Sequence, residues 1–87
     1  MRNKELAKIF SSLAQHLAMR DVPFRPQAYE RASLAIESLA EDVQDIYERE
    51  GTAGLEGIPG VGKGIAERIE EYLKTGKVQD YEKERKR

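Results

Sequence analysis

Hydrophobic residues recur near the start of the chain at spacings of three and four, which is typical of a helix with one buried face. The apolar stripe comprises Leu6, Ile9, Phe10, Leu13 and Leu17. It predicts a first helix over residues 4–20, with Asn3 as its N-cap because an Asn side chain can accept a hydrogen bond from the first turn. The segment 21–25 breaks the pattern and ends this helix.

A second helix is predicted from Pro26 to about Leu39. Proline suits the first turn of a helix, because the N–H that it lacks would have no partner there. The inward positions of this helix are mostly small: Ala28, Ala32, Ala35, Ile36 and Leu39. Small residues on one face favour close approach of a neighbouring helix, so the pattern indicates a tightly packed helical bundle.

A short third helix is predicted around Val43, Ile46 and Tyr47, and Gly51 is placed to end it in a left-handed cap. Six of the seven glycines then lie within residues 51–64. Glycine costs backbone entropy inside helices, so this density indicates backbone that turns sharply or lies close to another group.

Helical periodicity returns after the glycines, with apolar positions at Ile65, Ala66, Ile69, Tyr72 and Leu73. Lys74 and then Gly76 predict the end of this helix, because a cation favours the last turn and glycine favours a left-handed cap. Residues 78–87 are predicted to form a final helix or the start of a linker, and their basic end leads us to expect that the chain continues beyond Arg87.

The composition of the chain limits the kinds of protein that it can be. The chain has 87 residues, of which 39% are hydrophobic and 36% charged, so it can form one small domain with one core. No apolar run approaches the ~20 residues that cross a membrane. The absence of cysteine excludes disulfides and Cys/His zinc sites and suits the reducing cytoplasm. The net charge of −1 means that any contact with nucleic acid must be local.

The glycine segment has several interpretations. Gly57, Gly62 and Lys63 match the phosphate-loop pattern G-x-x-x-x-G-K-[ST], but Gly64 stands where magnesium needs a hydroxyl, and no β-strand precedes the loop. Nucleotide hydrolysis is therefore disfavoured. A compact turn between packed helices, with Lys63 paired to Glu67, remains open on the residues alone.

The other interpretation is a helix-hairpin-helix, with a short helix from about Thr52, a turn over residues 58–62 and a longer helix from Lys63. Glycines let the backbone approach a phosphate, and the free N–H groups and dipole of the following helix favour an anion. Ile58 and Val61 are expected to point inward and fix the hairpin to the bundle.

The segment from Leu55 to Lys77 resembles the first helix-hairpin-helix of family X DNA polymerases. Three upstream segments resemble the N-terminal helical domain of the same proteins, particularly the bacterial and archaeal branch: Asn3-Lys4-Glu5-Leu6-Ala7, Pro23-Phe24-Arg25 and Ala28-Tyr29-Glu30-Arg31-Ala32. The resemblance covers nearly the whole chain and relates it to the lyase domain of polymerase beta. It implies a parent DNA polymerase that fills gaps in base excision repair, with polymerase domains downstream.

We therefore expect an all-α bundle of four to six helices. The predicted single domain, 1–87, comprises a bundle part (1–50), the helix-hairpin-helix (51–77) and the final segment (78–87). The resemblance implies a monomer that binds DNA independently of base sequence, at a gap with a 5′-phosphate, and no membrane partner.

The resemblance also implies a comparison with the eukaryotic members of this family, in which the domain removes a deoxyribose phosphate through a lysine Schiff base. Here the position that matches the nucleophile is Arg68, whose guanidinium stays protonated and cannot form an imine. The family's phosphate-pocket lysine falls on Gly64, and its basic residue beyond the helix falls on Asp80. The resemblance thus implies phosphate binding without a catalytic residue.

The predicted DNA- and phosphate-binding residues are Arg25, Tyr29, Gly60, Gly62, Lys63, Gly64 and Arg68. The resemblance further implies a monovalent cation, Na⁺ or K⁺, held with DNA present by the backbone carbonyls of Glu56, Ile58 and Val61. No other cofactor is expected.

Two alternatives remain open. The domain could be an active 5′-deoxyribose phosphate or abasic-site lyase in which Lys63 replaces the missing nucleophile, or a protein-interaction module that has lost DNA binding. The acidic second half of residues 1–50 favours the protein-interaction module. Of the other singled-out residues, Tyr72 is expected in the core and His16 at or near the surface.

Overall fold

In the computed structural model, which describes residues 2–87, the chain is a bundle of helices, and no strand occurs in these residues. The helices are α1 (Arg2–Met19), α2 (Arg25–Glu37), α3 (Val43–Glu56), α4 (Lys63–Thr75) and α5 (Gln79–Arg85). The predicted all-α bundle is confirmed.

Helices α1 and α2 pack along most of their length. The predicted stripe of α1 is buried except for Ile9, which is partly buried; Phe10 and Leu13 are fully enclosed, and so is Ala32 of α2. The hydroxyl of Ser33 donates a hydrogen bond of 2.6 Å to the carbonyl oxygen of Ala7, which joins the two helices within the core. Small side chains on α2 therefore permit the close approach that the sequence predicts.

Asn3 is not the N-cap of α1, because the helix already begins at Arg2. Its side chain is 4% exposed and points away from its own helix. The Asn3 amide donates to the carbonyl of Glu41 at 2.7 Å, and its oxygen accepts from the N–H of Val43 at 2.8 Å. Asn3 therefore ties the start of α1 to the start of α3, a long-range role that local sequence does not reveal.

Gly51 interrupts α3, but it does not end the helix in a left-handed cap as the sequence predicts. Its φ of 69° is positive, whereas its ψ of −159° is extended, so the chain changes direction and immediately resumes a helix. The second part of α3 runs to Glu56 and forms the first helix of the hairpin, as expected from about Thr52.

The turn between α3 and α4 lies against the bundle. Ile58 and Val61 are 6% and 5% exposed, which confirms their predicted inward position, and the N–H of Val61 donates to the carbonyl of Ile58 at 2.9 Å. Gly60 has a φ of 95°, and a Cβ added there would lie 3.3 Å from Cβ of Ala35 on α2. The hairpin is therefore held in place by apolar anchors and by close backbone contact.

The end of the chain returns to α1. Gly76 ends α4 in the predicted left-handed conformation and donates its N–H to the carbonyl of Tyr72 at 2.7 Å. Tyr72 is 6% exposed, as expected for a core residue. Helix α5 packs on α1, where Glu84 pairs with Arg20. No helix within residues 2–87 is both long enough and apolar enough to cross a membrane.

Candidate nucleic-acid interface

A cavity of about 300 Å³ opens between α2, the hairpin turn and the start of α4. It is lined by Arg25, Ala28, Tyr29, Arg31, Gly60, Gly62, Gly64, Ile65 and Arg68. The fold thus brings to one place all the predicted phosphate-binding residues except Lys63. These residues come from segments that are well separated in sequence. They meet because the hairpin packs on α2.

Two helices begin at this cavity, and both are unusual for the same reason. Helix α2, with N-cap Phe24, and helix α4, with N-cap Gly62, have no side-chain hydrogen bond at the cap and no acidic residue in the first turn. The other three helices carry at least one carboxylate there. Uncapped N–H groups and the positive end of the helix dipole favour an anion at such a place.

The glycines of the cavity differ in what the fold requires of them. Gly60 combines positive φ with close contact to α2, so its lack of a side chain is explained by packing. Gly62 and Gly64 have no positive φ, and a Cβ on either would meet nothing within 4 Å. Packing therefore gives no reason for glycine at these two positions, and both leave bare backbone facing the cavity.

The polar side chains beside the cavity converge on one carboxylate. Oδ2 of Asp80 accepts from Nε of Arg68 at 2.9 Å and from the hydroxyl of Tyr29 at 3.2 Å. A guanidinium nitrogen of Arg25 lies 3.8 Å from the same oxygen. Asp80 belongs to the first turn of α5, so the final helix supplies the carboxylate on which these side chains converge.

These contacts fix the charge states of the cluster. Burial and then the charge of Asp80 raise the pKa of Tyr29 to about 12, so its hydroxyl remains a neutral donor at neutral pH. Burial acts to raise the pKa of Asp80, but the hydrogen bond and charge of Arg68 outweigh it, and the net pKa is lowered. The hydrogen bond from Arg68 to Asp80 raises the pKa of the guanidinium. The site therefore holds fixed cations, one anion and one neutral donor.

Arg31 is the cavity residue to which the sequence analysis gives no role. It is exposed and takes part in none of the ion pairs found among residues 2–87. Arg25, Ala28 and Arg31 follow one another at spacings of three on α2, which places them on one face of the helix. That spacing is the signal in the sequence that could have identified Arg31.

Lys63 lies at the first position of α4 and is exposed, outside the lining of the cavity. No ion pair with Glu67, which the compact-turn interpretation needs, is found among the described residues; Glu67 instead lies 3.9 Å from Arg68. The lyase alternative needs the amine of Lys63 within the cavity, and the observed placement gives that alternative no support.

The residues expected to bind a cation lie at the end of α3 and in the hairpin turn. The carbonyl of Ile58 already accepts the N–H of Val61 at 2.9 Å, which leaves one lone pair for a ligand. Carbonyl oxygens of Glu56 and Val61 flank it in the chain. Over residues 2–87, no group of three or more His, Cys, Asp or Glu side chains could hold a metal ion.

Comparison with protein families gives a match over most of the chain. Residues 1–78 match the family described as "Helix-hairpin-helix domain". This range includes the hairpin and every residue that lines the cavity. No curated protein matches the sequence.

Proposed function

The chain belongs to the helix-hairpin-helix domain family, whose members generally bind DNA, and we propose that its cavity binds the 5′-phosphate at a DNA gap. The hairpin amides near Gly62 and Gly64 contact the adjacent backbone. Phosphate contacts carry no base information, so binding is independent of sequence.

The observation that carries this proposal is the meeting of two uncapped helix starts with three arginines at one cavity. Arg25, Arg31 and Arg68 contribute three positive charges, and the carboxylates of Asp80 and Glu67 lie close to them, so the arginines outnumber the carboxylates. A terminal phosphate carries about −1.5 to −2 charges near pH 7, whereas an internal phosphodiester carries only one. The excess of arginines therefore favours a phosphate at a strand end over an internal phosphodiester.

The glycines support the same ligand. Gly64 lies in the first turn of α4, where alanine would favour the helix by up to ~1 kcal/mol and would meet no neighbour. Bare backbone at Gly62 and Gly64 lets a phosphate oxygen approach the N–H groups at the helix start. Glycine at these two positions would help to bind an anion, whereas packing of the turn does not require it.

We further propose that the domain belongs to a family X DNA polymerase that fills gaps during repair. The support is the resemblance of residues 55–77 to the first helix-hairpin-helix of those enzymes. In this proposal the carbonyl oxygens of Glu56, Ile58 and Val61 hold a monovalent cation when DNA is bound. That cation would neutralise part of the negative charge of the DNA backbone near the hairpin.

The test compares binding of a fluorescent gapped duplex with and without a 5′-phosphate. Arg31→Ala should weaken binding of the phosphorylated duplex by about 5- to 20-fold, because a charge-assisted hydrogen bond is lost, and should have less effect on the unphosphorylated duplex. Arg49→Ala is the matched control, because Arg49 is exposed on α3 and pairs with Glu41 and Glu50 away from the cavity.

Salt dependence gives a second measure of the same contacts. With two or three phosphates neutralised, log K should fall with log salt at a slope of roughly −2 to −3, and Arg31→Ala should reduce that slope by about one. Equal affinity for the two duplexes at every salt concentration would contradict the proposal. An absence of binding to either duplex would instead favour a protein-interaction module.

A further inference from the structure

We propose that Asp80 is a built-in competitor for the phosphate, so that the ligand must displace the Asp80 carboxylate from the arginines. This inference rests on the proposed phosphate site, and it concerns how strongly that site binds. Three groups that would hold a phosphate, Arg25, Arg68 and Tyr29, all face a single oxygen of Asp80.

The Asp80 carboxylate already occupies the position of an anion that accepts hydrogen bonds from these donors. Oδ2 of Asp80 lies 2.9 Å from Nε of Arg68 and 3.2 Å from the hydroxyl of Tyr29. These are the distances at which a phosphate oxygen accepts hydrogen bonds from the same groups. A phosphate and this carboxylate cannot both take the full set of donors, because Nε of Arg68 and the Tyr29 hydroxyl each carry one hydrogen.

The place of Asp80 in the fold allows it to leave. Its side chain is 30% exposed and stands in the first turn of α5, a helix of seven residues, none of which is buried. Val78, the N-cap residue of α5, is fully buried, and Glu84 pairs with Arg20, so α5 remains attached on either side of Asp80. Moving the carboxylate therefore breaks polar contacts at the surface and leaves the core intact.

A second cavity provides room for the displaced carboxylate. It has a volume of about 260 Å³, and its lining includes Arg25, Asp80 and Lys83. Asp80 lines this second cavity and bonds to Arg68 and Tyr29, which line the first, so its carboxylate stands between the two. A carboxylate displaced from Arg68 would enter the second cavity, which the side chains of Arg20, Lys83 and Glu84 also line.

The experiment compares the wild-type chain with Asp80→Asn and Glu82→Gln, using the gapped duplex with or without a 5′-phosphate. Asp80→Asn keeps a side chain of the same size and removes the competing charge. Glu82→Gln removes one negative charge from the same helix, where Glu82 pairs with Arg85 and lines a different cavity. Asp80→Asn should tighten binding of the phosphorylated duplex about fivefold or more, beyond any effect of Glu82→Gln.

The outcomes separate this inference from the proposed function. All three proteins could prefer the 5′-phosphate while Asp80→Asn binds the phosphorylated duplex no more tightly than the wild type. That result would contradict the role of Asp80 as a competitor, but it would be consistent with the phosphate site. Equal tightening by Asp80→Asn and Glu82→Gln would also overturn that role, because a general charge effect would suffice. No preference for the phosphate in any protein would overturn the proposed function itself.

A measurement on the wild-type chain covers the case in which Asp80→Asn fails to fold. The carboxyl ¹³C resonance of Asp80 should shift when the phosphorylated duplex is added and should stay in place with the unphosphorylated duplex. An unchanged resonance at saturation with the phosphorylated duplex would overturn the competition.

Discussion

At the scale of single residues, the glycines of the hairpin divide into two groups with different causes. Gly60 has a φ of 95°, and an added Cβ would lie 3.3 Å from Ala35 and 3.4 Å from Cγ of Arg31. Gly64 has open space around an added Cβ. A glycine count cannot separate these cases, because both residues stand in the same short segment of sequence.

Gly60→Ala should destabilise the fold by about 1–3 kcal/mol, because alanine is strained at positive φ and its Cβ would press on α2. Gly64→Ala is the matched control: it should change the free energy of unfolding by less than about 1 kcal/mol, in the stabilising direction, because alanine favours a helix. Urea unfolding followed by circular dichroism measures both. Equal stability of the two variants would show that the turn does not depend on close contact at Gly60.

At the scale of helices, the two helix starts at the cavity lack features that the start of α3 has. Asp42 caps α3 by accepting the N–H of Gln44 at 2.8 Å, and it also accepts the N–H of Arg2 at 3.0 Å. Helices α2 and α4 have neither a side-chain cap nor an acidic residue in the first turn. Helix α5 also has no side-chain cap, but it carries Asp80 and Glu82 in its first turn, so the lack of both features together marks the two helix starts at the cavity.

The cap of α3 makes stability depend on pH. Burial acts to raise the pKa of Asp42, but the hydrogen bonds from Arg2 and Gln44 outweigh it and lower the pKa below 3.8. A carboxylate with a lowered pKa in the folded state stabilises that state above the unfolded-state pKa of about 4, and this contribution is lost as pH falls further. Stability should therefore decrease below about pH 4.

Asp42→Asn keeps a capping oxygen but cannot titrate, so the variant should lose less stability than the wild type between about pH 5 and pH 2. Asp45→Asn, in the same turn of α3 and exposed, should follow the wild type. Urea midpoints measured across this pH range test the difference. Parallel curves for all three proteins would contradict the assigned role of Asp42.

The elements themselves could largely be predicted from the sequence, because apolar spacing is a local signal. The second helix, for example, is predicted to end near Leu39 and ends at Glu37. Two expectations were wrong in detail. Asn3 bonds to the start of α3, a contact between distant parts of the chain that no local pattern contains. Gly51 has the positive φ expected of a left-handed cap, but α3 changes direction there without ending.

At the scale of the whole molecule, a net charge of −1 coexists with a local cluster of three arginines. Apart from Lys63, the predicted site residues line one cavity because the hairpin packs on α2, and their prediction rests on the resemblance to known polymerases. The same sequence pattern gives no role to Arg31, although it lies six residues after Arg25 on the same helix. The convergence of Tyr29 and two arginines on Asp80 could not be predicted, because it requires α5 to fold back beside α2.

The most direct test of the proposed function is a residue-resolved NMR titration of the chain with a short gapped duplex, with and without a 5′-phosphate at the gap. We predict phosphate-dependent shifts in the side chains of Arg25, Tyr29 and Arg31 and in the amides of residues 60–64, weakening as salt is raised. Shifts that are identical for the two duplexes, or that lie on other surfaces of the bundle, would contradict binding of a terminal phosphate in this cavity.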